Sequence, residues 1–218
     1  MTTPDLAPVT PALMTDRPLH VAADLPRSRA NGPGLRSVLW VQGCPFRCAG
    51  CFNPGFLPFE GGREVPAAKV VQWMLAQQDT EGVSFSGGEP FAHAAGLADV
   101  AEPVRAAGKG VLVFTGFDPA VLRASRNAGI QRLLAAADLL VAGLYRSDLA
   151  QQHPLLASSN QQLVFLTERY RGVELGPRRT EYRISAGGAL TVTGFPTETR
   201  RAPATPMPNV GMKEGHSP

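Results

Sequence analysis

The sequence predicts an α/β fold, a mostly parallel sheet with helical cover, and three observations carry the prediction. Short β-rich apolar runs alternate with segments of helical period through the middle of the chain. Prolines and glycines mark the joints, with proline near helix starts and glycine past helix ends. Two motif-bearing turns each follow a strand directly, on the rim where ligands bind in such sheets.

In chain order, residues 1–17 mix Thr, Pro, Ala and Asp without a period and read as a disordered tail. Residues 35–41 are β-rich and partly alternating, a strand that leads into a cysteine loop. Pro66 suits the first turn of a helix, and Val70, Val71, Met74 and Leu75 give that helix one apolar face. Residues 82–86 form a second strand, broken by the glycines after it. A helix over about 97–107 stops at Gly108, and residues 110–115 form a third strand. Asp118 and Pro119 cap the next helix, followed by strands at 138–142 and 162–167. Beyond Gly172, two alternating segments at 181–185 and 189–193 flank Gly187 and Gly188, which reads as a β-hairpin. The expected organisation is a main domain over 18–172, a hairpin appendage over 173–199 that covers a sheet edge, and a second disordered tail over 200–218.

Composition excludes several classes. The 218 residues are 44% hydrophobic and 18% charged, as in an ordinary globular protein. A net charge of +3 is too small to imply nucleic acid, and no apolar run approaches the roughly 18 residues of a membrane span. No basic region followed by an apolar stretch opens the chain, so a cytoplasmic protein is expected.

The chemistry concentrates in one loop. Cys44, Cys48 and Cys51 fall within eight residues, CPFRCAGC, and the chain has no other cysteine. Three thiolates at that spacing suit a cubane iron–sulfur cluster, whose usual protein quota is four, and leave one iron open. A closed zinc site would instead need a fourth ligand from His20, His93, His153 or His216. A disulfide framework fits poorly with an odd count and a chain long enough to build a core.

The surrounding residues narrow this choice. Gly32-Pro33-Gly34-Leu35-Arg36 precedes the loop, Phe52-Asn53-Pro54 follows it, and Ser86-Gly87-Gly88-Glu89-Pro90 lies downstream. The set resembles the radical S-adenosylmethionine superfamily and, within it, the glycyl-radical-enzyme activating branch. Phe114-Thr115-Gly116-Phe117 and Ser159-Asn160-Gln161 are similar to anaerobic ribonucleotide reductase activating enzymes, and the likeness runs over about residues 30–166. The resemblance implies a small partial (β/α) barrel. It implies a [4Fe-4S] cluster on Cys44, Cys48 and Cys51, and S-adenosylmethionine bound through its amino and carboxylate groups to the open iron. Gly87, Gly88, Glu89 and Pro90 would meet the methionyl end, Gly50 and Phe52 would lie near the adenine, and Thr115 and Asn160 would touch the cofactor from strand ends. The implied reaction is reductive cleavage to a 5′-deoxyadenosyl radical that installs a glycyl radical on a partner enzyme. An electron donor such as flavodoxin or ferredoxin would supply the reductant. The resemblance assigns no catalytic side chain, and His93 reads as a helix-start residue. One departure stands out: Ala142-Gly143 occupies the place of an Asp-Gly pair frequent in that branch. Two other readings predict different outcomes: a small radical enzyme acting on a peptide or metabolite, and a non-catalytic zinc or iron–sulfur module with a fourth protein ligand.

Overall fold

The carboxyl ends of four parallel strands define the working rim of the molecule. The structure, a computed structural model, describes residues 18–184, 187, 188 and 190–195. Both expected tails, and Ser185 and Ala189 of the expected hairpin, lie outside the described residues.

The parallel core comprises β2 (Arg36–Val41), β4 (Gly82–Gly87), β5 (Gly110–Thr115) and β6 (Leu139–Ala142). These are the strands the sequence predicts, within a residue or two. Two further strands precede or interrupt them: β1 (Pro18–Ser28) and β3 (Arg63–Pro66). With β7 (Gln162–Phe165) they extend the sheet to seven strands in the order β3-β1-β2-β4-β5-β6-β7. Both pairings made by β1 are antiparallel. In β1 the buried residues Leu19, Val21, Ala23 and Leu25 do alternate. Alanines, Asp24 and Pro26 dilute that period below what the sequence betrays.

The last strand, β7 (Gln162–Phe165), runs antiparallel to β6. The reason is the connection. Residues 143–161 hold no α-helix, only a short 3₁₀ turn at Ser147–Leu149, and a parallel return usually needs a helical crossover.

Helices α1 (Ala67–Leu75), α2 (Ala94–Ala106), α3 (Pro119–Ala124) and α4 (Ala128–Ala136) supply the cover. Pro66 stands just before α1, at its N-cap, and Asp118 caps α3 by accepting from the Ala120 N–H. The single helix expected after Asp118 divides in two, because Asn127 caps α4 afresh through the Gly129 and Ile130 N–H groups. One face of the sheet packs on the helices: Val83, Phe85, Val111 and Val113 join Val70, Met74, Leu97 and Val104 in the largest apolar cluster. Alternate residues such as Leu112 and Leu139 enter a second cluster with Leu155 and Tyr170. Such two-sided burial suits central parallel strands.

Arg36 starts β2 at the end away from the cysteine loop and is 0% exposed. It donates to Ser84 Oγ, Pro33 O, Glu81 Oε2, the Tyr170 hydroxyl, Val83 O and Gly110 O. The arginine of the GPGLR lead-in therefore ties β2, β4, β5 and the stretch after β7 together.

The hairpin forms its own two-stranded sheet, β8 (Thr180–Ile184) with β9 (Leu190–Gly194), antiparallel, with Ile184 opposite Leu190. Its polar side is docked. Glu181 accepts from Ser28 Oγ at 2.6 Å and from Arg29 N–H at 2.7 Å, and Thr193 Oγ1 accepts from Asn31 Nδ2 at 3.0 Å. These contacts reach the end of β1 and the loop after it, whereas the edges of the large sheet are β3 and β7.

Candidate functional site

The cysteine loop begins where β2 ends and is closed on itself by backbone bonds. Gly43 and Cys44 donate to the carbonyls of Phe56 and Leu57 at 2.9 and 3.0 Å, and Cys51 donates to that of Cys48 at 3.2 Å. The Arg47 guanidinium caps the Cys44 carbonyl at 2.6 Å. This lacing fixes a loop that has little regular structure beyond a 3₁₀ turn at Pro54–Phe56. The three cysteines form no disulfide with one another, with Cys44 buried and Cys48 and Cys51 half-buried, and Cys51 Sγ accepts from Asn53 N–H at 3.4 Å.

The Gly-Gly-Glu-Pro turn is stitched to the same strand end. Gly88 N–H donates to Val41 O at 2.8 Å, and Glu89 N–H donates to Gly43 O at 2.9 Å. No side chain could replace hydrogen here. A Cβ on Gly88 would stand 2.2 Å from Gly43 O, and Gly87, at φ +106°, would press a Cβ to 2.5 Å from Val41 N. The glycines thus admit the neighbouring strand end, which locks the two motifs together one residue before Cys44.

Glu89 is the buried charge of the site, 1% exposed. Its Oε1 accepts from Phe91 N–H at 2.9 Å and Thr115 Oγ1 at 2.8 Å, and its Oε2 from Gly116 N–H at 2.8 Å. Burial pushes its carboxyl up to about 7, against the pull of these three hydrogen bonds. Burial likewise pushes the Cys44 thiol up to about 11, partly offset by a backbone hydrogen bond at Phe46. Without a metal, Cys44 keeps its proton at neutral pH; iron binding would have to displace it.

These groups share one cleft. Cys44, Cys48, Cys51 and Phe52 form one wall, Ser86 to Glu89 another, and Phe114, Thr115, Gly116, Gly143, Tyr145 and Gln161 complete the lining with Val141 and others. The walls come from the carboxyl ends of β2, β4, β5 and β6. The cleft itself measures about 140 Å³, and it opens broadly to solvent.

Of the residues singled out from sequence, Cys44, Cys48, Cys51, Phe52, Gly87, Gly88, Glu89 and Thr115 line the cleft. Three do not. Gly50 takes φ +74° in the turn between cysteines, Pro90 is buried at the start of the 3₁₀ helix Pro90–His93, and Asn160 is exposed, donating to Leu144 O at 2.8 Å. The neighbour of Asn160, Gln161, does face the cleft, with its Nε2 donating to Gly143 O at 2.9 Å. Sequence reasoning missed Gln161, Tyr145 and Ser86 as lining residues; Ser86 and Gln161 stand inside the SGGEP and Ser159–Gln161 motifs, and Tyr145 has only its place three residues past β6 as a signal.

The donor set fits a cluster. Three cysteines of one loop, joined in no disulfide, border the cleft, and none of His20, His93 and His153 is among its lining residues. Among the described residues, no three His, Cys, Asp or Glu side chains converge on a single-ion site.

Comparison with known proteins agrees with this geometry. The family described as a 4Fe-4S single cluster domain matches residues 30–165, and the chain belongs to it. The anaerobic ribonucleoside-triphosphate reductase-activating protein of Escherichia coli K12 is 30% identical over 143 residues, 62% of this chain and 90% of that protein. Its namesake from Pasteurella multocida is 28% identical over 155 residues, 66% of this chain and 96% of that one. The pyruvate formate-lyase-activating enzyme of Clostridium pasteurianum is 36% identical over 75 residues, 32% of each chain. Within the radical S-adenosylmethionine superfamily, the chain falls in the glycyl-radical-enzyme activating branch.

Proposed function

We propose that Cys44, Cys48 and Cys51 hold one [4Fe-4S] cluster, that the cleft beside them binds S-adenosylmethionine, and that the protein installs a glycyl radical on a separate enzyme. One observation carries the reading: a loop with three thiols and no fourth shares a cleft with a Gly-Gly-Glu-Pro turn at the ends of four parallel strands. Held by Cys44, Cys48 and Cys51, a reduced cluster would supply the electron for reductive cleavage of the C–S bond of S-adenosylmethionine, with methionine as the leaving product.

The chain's own residues bind and orient. The Gly87–Gly88 turn presents backbone groups toward the methionyl end, and Glu89 fixes that turn to the end of β5 through Thr115 and Gly116. Phe52, next to the third cysteine, offers the adenine an apolar ring, with Gly50 shaping the turn behind it. A C–H bond of a backbone glycine on the partner then breaks, its hydrogen completes 5′-deoxyadenosine, and the unpaired electron stays on the glycine. The partner is an anaerobic ribonucleotide reductase or a formate-lyase relative, the name borne by the relatives' own targets supporting that choice. A flavodoxin or ferredoxin in the cytoplasm supplies the electron. No described helix is long and apolar enough to cross a membrane.

The test is anaerobic incubation of the reduced, cluster-loaded protein with S-adenosylmethionine and the anaerobic ribonucleotide reductase of the same source. A doublet signal of a glycyl radical in the paramagnetic resonance spectrum is expected. Cofactor cleavage without that signal, against both reductase and formate-lyase types, would overturn the choice of partner.

A further inference from the structure

The hairpin lies past the last residue matched by the family, yet its base reaches the cleft. Phe195 follows β9 directly and its backbone is pinned twice: its N–H donates to Arg179 O at 3.1 Å, and its carbonyl accepts from Thr180 Oγ1 at 2.7 Å. The ring so fixed meets Phe52 edge to face, with centroids 5.8 Å apart and planes at 88°. Phe52 also tilts against Tyr145 at 5.0 Å, and both of those rings line the cleft. Phe195 itself is not part of the lining. The Arg178 guanidinium lies over the Phe195 ring, 4.2 Å from Cζ to the centroid, and donates to the carbonyl of Gln151.

Phe52 sits at the exit of an irregular loop, where nothing in the backbone pattern fixes its side chain. Its orientation depends on the rings that touch it. Edge-to-face pairs are directional, so a partner that is itself anchored sets the tilt of the ring it meets. Arg178, stacked on Phe195 and tied to the 143–161 segment, supplies that anchor.

We propose that Phe195, latched by Arg178, is a positioning residue for the adenosyl end of S-adenosylmethionine, acting through Phe52. This rests on the reading of the cleft given above. It makes Arg178 and Phe195 a working part of the cofactor site, although they lie outside the family core.

The experiment is equilibrium binding to the full, anaerobically reconstituted chain, with three probes: S-adenosylmethionine, 5′-deoxyadenosine and methionine. Iron content is measured on every sample. In Phe195→Ala, the Kd for S-adenosylmethionine and for 5′-deoxyadenosine rises by the same factor, about tenfold, as expected for one lost aromatic contact. Methionine binding and iron content stay at wild-type levels. Phe195→Tyr, which keeps the ring, binds within about twofold of wild type. Phe195→Leu, which keeps apolar bulk but no ring, behaves like the alanine variant. Unchanged affinity in Phe195→Ala overturns the proposal, as does full recovery in Phe195→Leu. A loss of iron parallel to the loss of affinity overturns it too, making the hairpin a structural brace only. A wild-type protein that holds its cluster but binds neither S-adenosylmethionine nor 5′-deoxyadenosine overturns the reading of the cleft itself, and this inference with it.

Discussion

The two ends of the parallel strands bury charge in opposite ways. At the amino ends, Arg36 is 0% exposed and its guanidinium meets six oxygens, from Ser84, Pro33, Glu81, Tyr170, Val83 and Gly110. Every N–H is committed to a partner. At the carboxyl ends, Glu89 is as deeply buried but has only neutral donors, so its carboxyl is pushed up to about 7. Beside it stand the three cysteines of one loop and an open cleft. A buried charge with a full set of partners holds a fold; buried ionisable groups facing a space hold a site.

Four outcomes sharpen or break that comparison, from the largest effect down. Cys48→Ser removes one of the three proposed cluster ligands, so the iron–sulfur absorbance of the reconstituted protein and its cleavage of S-adenosylmethionine are both lost. The melting temperature of the cluster-free protein stays within a few degrees, because Cys48 is half-buried on the rim. A variant that kept its full cluster would erase the distinction between the ends. Arg36→Met acts at the other end, leaving Glu81 and several buried carbonyls without their donor. A loss of about 3–5 kcal/mol is expected in denaturant titrations of the cluster-free protein. Arg36→Lys recovers little of it, since an ammonium cannot span six acceptors in a plane.

Glu89 gives a smaller effect with a definite pH signature. The folded protein holds this proton up to about pH 7, whereas the unfolded chain releases it near the ordinary glutamate value of 4.5. Between those values the folded state binds more protons, so stability falls as pH rises through the window and levels off above it. The drop from this group is about 3 kcal/mol. Glu89→Gln removes that slope, and denaturation midpoints of both proteins at pH 5 and pH 8 check it. Parallel pH profiles for the two would show that Glu89 is not the titrating group. Tyr170→Phe is the mildest change. It deletes one hydroxyl between Arg36 and Glu81, which also bond each other directly at 2.6 Å, and costs about 1 kcal/mol in the same titration.

The sequence made some of this legible and concealed the rest for physical reasons. The cysteine loop and the Gly-Gly-Glu-Pro turn are local in sequence, β5 and β6 are mainly apolar runs, and β2 and β4 set β-branched and aromatic residues among serines. Strand β1 was hidden because Ala22, Ala23, Asp24 and Pro26 blur its alternation. The direction of β7 depends on the helix-free connection over residues 143–161, which no local pattern reports. Arg36 looked like part of a motif, and its six acceptors lie up to 134 residues away. The reach of Phe195 to Phe52 is longer still, joining the hairpin to the cysteine loop across the whole core. Gln161 belongs to the Ser159–Gln161 motif, but a one-residue difference in facing separates it from the exposed Asn160.

The most direct test of the account is to reconstitute the protein anaerobically with iron and sulfide, reduce it with dithionite in the presence of S-adenosylmethionine, and assay for 5′-deoxyadenosine by chromatography. The account predicts its formation with methionine in equal amount, and neither product from Cys48→Ser. An intact cluster that yields no 5′-deoxyadenosine, or a chain that takes up zinc and no iron, would contradict it.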